Sequence, residues 1–147
     1  AVIGFTSQTY DVPEDQKAQI SIEFIRGEAT LPVTVRLSTS PTTASEEDFK
    51  SREVDVTFQA GETGPKVVEI DLVDDLLVEA MESFNVSLVS TSNPAVSLEN
   101  PATVNILDND EAVIGFTQDV YEIIEGSGKA RVKVGLLSGE TAVPVTV

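Results

Sequence analysis

The chain has no cysteine, no histidine and no tryptophan, and only six phenylalanines and two tyrosines among its 147 residues. Without thiols or imidazoles there can be no disulfides, cysteine nucleophiles, Ser-His-Asp triads or His/Cys zinc sites. The missing cysteines leave the compartment open, because many extracellular domains do without disulfides. The shortage of aromatic rings bears on another chemistry. Paired carboxylates can hydrolyse glycosides, but such clefts need rings to stack on sugars, and the few Phe and Tyr here fall mostly on strand positions of core phase. No enzymatic activity is expected. Apolar runs never reach the length of about 18 residues that spans a bilayer, and no signal-like segment is present, so direct membrane insertion of this segment is not expected. Basic residues are scarce too: 9 against 25 acidic ones, a net charge of −16. That balance disfavours nucleic acid and anionic membrane as partners and favours cations. Apolar residues, at 41 %, still suffice for a core, so disorder is not expected. The length suits one domain or one plus a fragment. Ala1 opens in mid-pattern, as in a piece of a longer protein.

What is present first is a repeat. AVIGFT occurs at 1–6 and again at 112–117. Tyr10 matches Tyr121 and Glu14 matches Glu125. After a one-residue insertion, Lys17-Ala18 matches Lys129-Ala130, Gly27-Glu28 matches Gly139-Glu140, and Pro32–Val35 matches Pro144–Val147. The chain therefore divides into a complete unit, 1–111, and the opening third of a second, 112–147.

Within the complete unit the apolar period is two. Ala18, Ile20, Ile22 and Phe24 alternate with polar residues, as do Val33, Val35 and Leu37; Val54, Val56 and Phe58; Val68, Ile70 and Leu72; Phe84, Val86 and Leu88; and Ala102, Val104 and Ile106. Such alternation marks strands with one face on a core and one in water. Turn residues separate them, at 26–28, 39–41, 60–62 and 92–94. About seven strands without a helical stretch predict an all-β, seven-stranded antiparallel sandwich of immunoglobulin-like build. Only Asp108-Asn109-Asp110-Glu111 separates the units, too little for a floppy linker. The second unit's roughly three strands cannot close a core of their own. They are expected to expose Val132, Val134 and Leu136, and to favour a strand-exchanged dimer through 112–147.

The carboxylates cluster. They lie at Glu14-Asp15, at Glu46-Glu47-Asp48, along 74–82 and across 108–111. Counting strands, the loops holding Glu14, Asp48, 74–82 and 108–111 can gather at one end of a sandwich. Their mutual repulsion would raise carboxylate pKa values unless a cation relieved it. Ca2+, with six to eight oxygen ligands at about 2.3–2.6 Å, suits such a cluster better than Mg2+.

The unit resembles the Calx-β domain family. The resemblance rests on Tyr10–Glu14, on Ala44–Phe49, and on Phe58-Gln59-Ala60-Gly61-Glu62. It continues through Ile70–Asp75 with Glu79, Glu82, Ser83 and Phe84, and through Ile106-Leu107-Asp108-Asn109-Asp110. It implies a seven-stranded sandwich with Ca2+ held by loops at its C-terminal end. By residue, it implies ligands at Glu14, Asp48, Asp74, Asp75, Glu79, Glu82, Asp108 and Asp110, with the backbone carbonyl of Leu77. Asn109 and Leu76 depart from the family's acidic runs, which implies fewer ions or weaker binding. Glu111 reads as rim.

Two further motifs stand apart. Arg26-Gly27-Glu28 is a hairpin turn rather than an integrin ligand, since its counterpart is Ser138-Gly139-Glu140. Asn85-Val86-Ser87 is an N-glycosylation acceptor whose Asn85 should face outward. The expected function is that of a non-catalytic Ca2+-binding module in a tandem array of a cell-surface or secreted adhesion protein. Its partners would be neighbouring Calx-β repeats and an adhesion ligand. The alternatives are a cytosolic Ca2+ sensor of a membrane transporter and a Ca2+-independent spacer.

Overall fold

The computed structural model describes residues 1–99 and 101–147, grouped in two compact units: 1–74 with 81–107, and 75–80 with 108–147.

The first unit is a sandwich of two sheets. One carries β6 (Lys66–Ile70), β3 (Ala18–Arg26), β1 (Val2–Phe5) and β9 (Ser97–Leu98), in that order. The other carries β2 (Thr9–Pro13), β10 (Ala102–Leu107), β8 (Glu82–Thr91), β4 (Val33–Pro41) and β5 (Glu53–Phe58). The period-two residues face inward as expected: Ile20, Ile22, Val33, Val35, Leu37, Ile70, Phe84, Val86 and Val104 are fully buried. Each such side chain contributes about 1.5–3 kcal/mol relative to exposure. Val54 and Val56 are only half-buried, because β5 is an edge strand.

The opening strand departs from simple alternation. It breaks at Thr6-Ser7-Gln8 and changes sheets: β1 runs antiparallel to β3, whereas β2 runs parallel to β10. Ser7 fixes the corner by donating its hydroxyl to the Thr9 carbonyl (2.8 Å). Tyr10 anchors the crossing, its hydroxyl donating to the Ser21 carbonyl at 3.2 Å. On the outer face, the Asn105 amide donates to Asp11 (2.8 Å) while its carbonyl accepts from Ser83 (2.7 Å). This chain of bonds holds β2, β10 and β8 in register beside their acidic ends.

The second unit repeats the beginning of the first at backbone level. β11 (Val113–Phe116) pairs with β12 (Val134–Ser138) with the same bulge after its first residue as β1 shows against β3. Tyr121 meets the Lys133 backbone as Tyr10 meets Ser21. Residues 120–124, equivalent to β2, form no strand, and the 3-10 turn Glu125–Ser127 stands where the first repeat turns at Glu14-Asp15. Val132, Val134 and Leu136 are exposed. The last element, β13 (Glu140–Thr141), lies parallel to β7 (Leu77–Val78).

Candidate metal centre

In the first unit, the acidic residues gather where β10 ends. The Glu14 N–H extends the β2–β10 ladder by donating to the Leu107 carbonyl at 3.0 Å. Its side chain is 4 % exposed, and it is the one buried charged residue among the described residues. Burying a carboxylate costs several kcal/mol unless charge and hydrogen bonds offset it. On the other side of β10, Glu82 opens β8 opposite Ile106. Glu14 and Glu82 therefore flank one strand end.

Asp48 is set by its own turn. Its Oδ2 accepts the Ser45 N–H at 2.7 Å and the Ser45 hydroxyl at 3.3 Å. The Asp48 carbonyl accepts from Val73 (2.8 Å), and the Lys50 N–H donates to Asp71 (2.9 Å), which brings Asp74 alongside Asp48. Phe49 locks this loop to the core by stacking on Phe84, with ring centroids 4.0 Å apart. Sequence reasoning missed Ser45 as a positioning residue, although the Ser-x-x-Asp spacing carries the signal for such a turn.

In the second unit, Asp75 Oδ1 accepts the Leu77 N–H at 2.7 Å, so Asp75, Leu77 and Glu79 share one tight loop. Asp108 Oδ1 accepts the Asp110 N–H at 3.3 Å. Asp110 Oδ2 is shut off from solvent and accepts no hydrogen bond. Asn109 and Leu76, the two departures from an all-acid run, both face solvent, as does Glu111. Asn85 lies away from these groups, midway along β8, its Oδ1 accepting from Thr103 at 3.2 Å.

Carboxylates in these positions suit a hard cation with several oxygen ligands; those of Asp48, Asp75 and Asp108 are turned by backbone N–H groups, and Glu14 and Asp110 Oδ2 are withdrawn from solvent. The Calx-beta domain model matches residues 1–110 and again 108–147. The chain belongs to the Calx-beta family. Among curated relatives, the sodium/calcium exchanger Calx of Drosophila melanogaster is 36 % identical over 118 residues. That match takes in 78 % of this chain and 12 % of the exchanger. The adhesion G-protein coupled receptor V1 of Danio rerio is 37 % identical over 73 residues, 49 % of this chain and 1 % of the receptor. The chain thus spans a small part of either protein. Among solved structures, the apo-form Calx CBD1 domain superposes with a TM-score of 0.68 at 29 % identity, covering 74 % of this chain and 97 % of that one. The CBD12 pair from CALX1.2 gives 0.70 at 30 % identity, covering 93 % of this Calx-beta chain and 57 % of that one. A third structure, of CALX1.1, is described as a calcium binding domain, CBD12.

Proposed function

We propose that this chain is a non-catalytic Ca2+-binding module whose ion fixes the acidic junction between successive Calx-beta repeats. The ligands would come from Glu14, Asp48, Asp74, Asp75, Glu79, Glu82, Asp108 and Asp110, with the Leu77 carbonyl. The observation that carries this reading is Asp110 Oδ2, a carboxylate oxygen removed from water with no donor against it. A cation supplies what the protein does not. Family membership and the solved relative described as calcium binding support the same ion.

Calorimetric titration of the whole chain with Ca2+ tests it, with an Asp74→Asn/Asp75→Asn double variant as control. Binding that the control abolishes is the expected result. Absence of heat, together with an unchanged melting temperature, overturns it. Affinity also separates two settings. Dissociation constants near 10⁻⁴–10⁻³ M fit an extracellular rod-stiffening module of an adhesion protein, and micromolar or tighter values fit a cytosolic sensor of a transporter. The exchanger match, longer than the receptor match, favours the sensor. The exposed Asn109 and the close tandem repeat favour the extracellular module. In that setting the exposed apolar faces of 112–147 also support strand exchange between copies, and a monodisperse monomer in sedimentation would refute it.

A further inference from the structure

The repeat places one turn in the structure twice, in two different states. Gly27 and Gly139 both hold φ of 76°, and each ends a hairpin of identical register and bulge. After Gly139, β13 pairs in parallel with β7, Glu140 opposite Leu77 and Thr141 opposite Val78. The Ala142 N–H donates to the Val78 carbonyl at 2.9 Å. Thr141 braces this edge, its hydroxyl donating to the Val143 carbonyl at 2.7 Å. The partner, Leu77-Val78, belongs to the acidic loop turned by Asp75.

After Gly27, the equivalent edge is empty. The Ala29 carbonyl accepts from Gly61 at 2.8 Å. Glu28 and Thr30 are exposed, and neither takes part in a hydrogen bond among the described residues. In the repeat, Thr30 corresponds to Ala142. The two turns read Gly-Glu-Ala-Thr and Gly-Glu-Thr-Ala. The pairing is a backbone pairing and tolerates that exchange of side chains.

We propose that Glu28-Ala29-Thr30 is a docking edge for the acidic loop of another Calx-beta repeat, which adds to it as a short parallel strand. The partner is a loop of the Asp-Asp-Leu-Leu-Val-Glu kind, entering from a repeat placed before Ala1 as the first repeat stands before Ala112. A two-residue ladder is weak between separate molecules, but tethering raises the effective concentration to about millimolar. The pairing sets Glu28 among the loop's own carboxylates, so a bound cation strengthens it. In this respect it rests on the calcium reading above, whereas the ladder itself does not.

The test joins a second copy of residues 1–111 to Ala1 of the whole chain, recreating the 108–111 junction ahead of AVIGFT. Amide hydrogen exchange is then followed at Thr30, with Ala142 as internal reference, in Ca2+ and in chelator. The expected result is that Thr30 exchange slows by about tenfold, the worth of one net hydrogen bond. Deleting Leu77-Val78 from the added copy, which removes the carbonyl that would accept from Thr30, should restore fast exchange. Fast exchange at Thr30 in the extended protein while Ala142 stays protected overturns the proposal. Protection that survives this deletion overturns it equally. Protection of Thr30 in a protein that takes up no Ca2+ upholds the ladder and refutes the calcium reading. Ca2+ uptake with Thr30 unprotected does the reverse.

Discussion

Asp110 and Glu14 are both carboxylates withdrawn from water, and they fix what single substitutions should do. Asp110→Asn keeps the shape and the Asp108 turn but removes the charge from the enclosed oxygen. It should weaken Ca2+ binding tenfold or more, while the melting temperature in chelator stays level or rises. Paired calorimetry and thermal melts check both parts, and a fall in chelator equal to that in Ca2+ would count against a ligand role. At ten times its dissociation constant, the ion should stabilise the native protein by about 1.4 kcal/mol per site. Elsewhere the surface charges behave conventionally. The Arg36 hydrogen bond holds the Asp55 carboxyl below its ordinary value, and hydrogen bonds from Lys66 and then the Gln59 N–H do the same for Glu62. A lowered native value means the unfolded chain takes up protons first as pH falls. These pairs therefore stabilise fully above the ordinary carboxylate range, and that contribution is lost as pH drops through the lowered values. Both groups are solvent-exposed, so the effect is small. NMR titration of the carboxyl carbons should find both midpoints below those of free side chains.

Among the elements, the loop between β4 and β5 shows how packing reaches the acidic end. Phe49 is fully buried and stacked on Phe84, and it ties to the core the turn in which Ser45 orients Asp48. Phe49→Ala should cost about 3–5 kcal/mol in denaturant unfolding, and should reduce Ca2+ affinity although Phe49 carries no ligand atom. Gly139 is the corresponding weak point of the second unit. A Cβ there would strike the Glu111 carbonyl and come within 2.7 Å of Ala112 Cα, at a φ that favours glycine. Gly139→Ala should loosen the β11–β12 hairpin while leaving the melt of the first unit unchanged. The strands were the legible part of the sequence, because their inward residues alternate without interruption from Ala18 to Phe24 and from Ala102 to Ile106. The change of sheets at Thr6-Ser7-Gln8 was not legible, since no glycine or proline marks it and the cause lies in the distant strand β10. The parallel contact of Leu77-Val78 with Glu140-Thr141 was equally silent, being a backbone pairing with no side-chain signature. The candidate ligands were legible from family resemblance and acid clustering, while the burial of Glu14 depends on a ladder to Leu107 that composition does not encode.

Across the whole chain, the repeat makes the protein its own control. The sequence AVIGFT folds into the same bulged strand twice, yet Glu14 is buried and its counterpart Glu125 is exposed. The difference is the presence of β10 in the first unit only. Burial of Glu14 therefore comes from the closed sandwich and not from its local sequence. The parallel pairing of β2 with β10 carries a mechanical consequence. Within the first unit these are the first and last long strands of their sheet's connectivity, matched from Thr9–Thr103 to Pro13–Leu107. A tensile load entering through the start of the unit and leaving through its end drags parallel neighbours in opposite senses. The ladder is then loaded in shear, so its bonds must fail together and not one after another as in a peeled hairpin. Stretched in a single-molecule experiment, the first unit should rupture at one high force, and Thr103→Pro, which removes the N–H that donates to the Gln8 carbonyl at the start of this ladder, should lower that force. A series of small, graded steps in the unaltered protein would show that this strand pair is not what resists the pull.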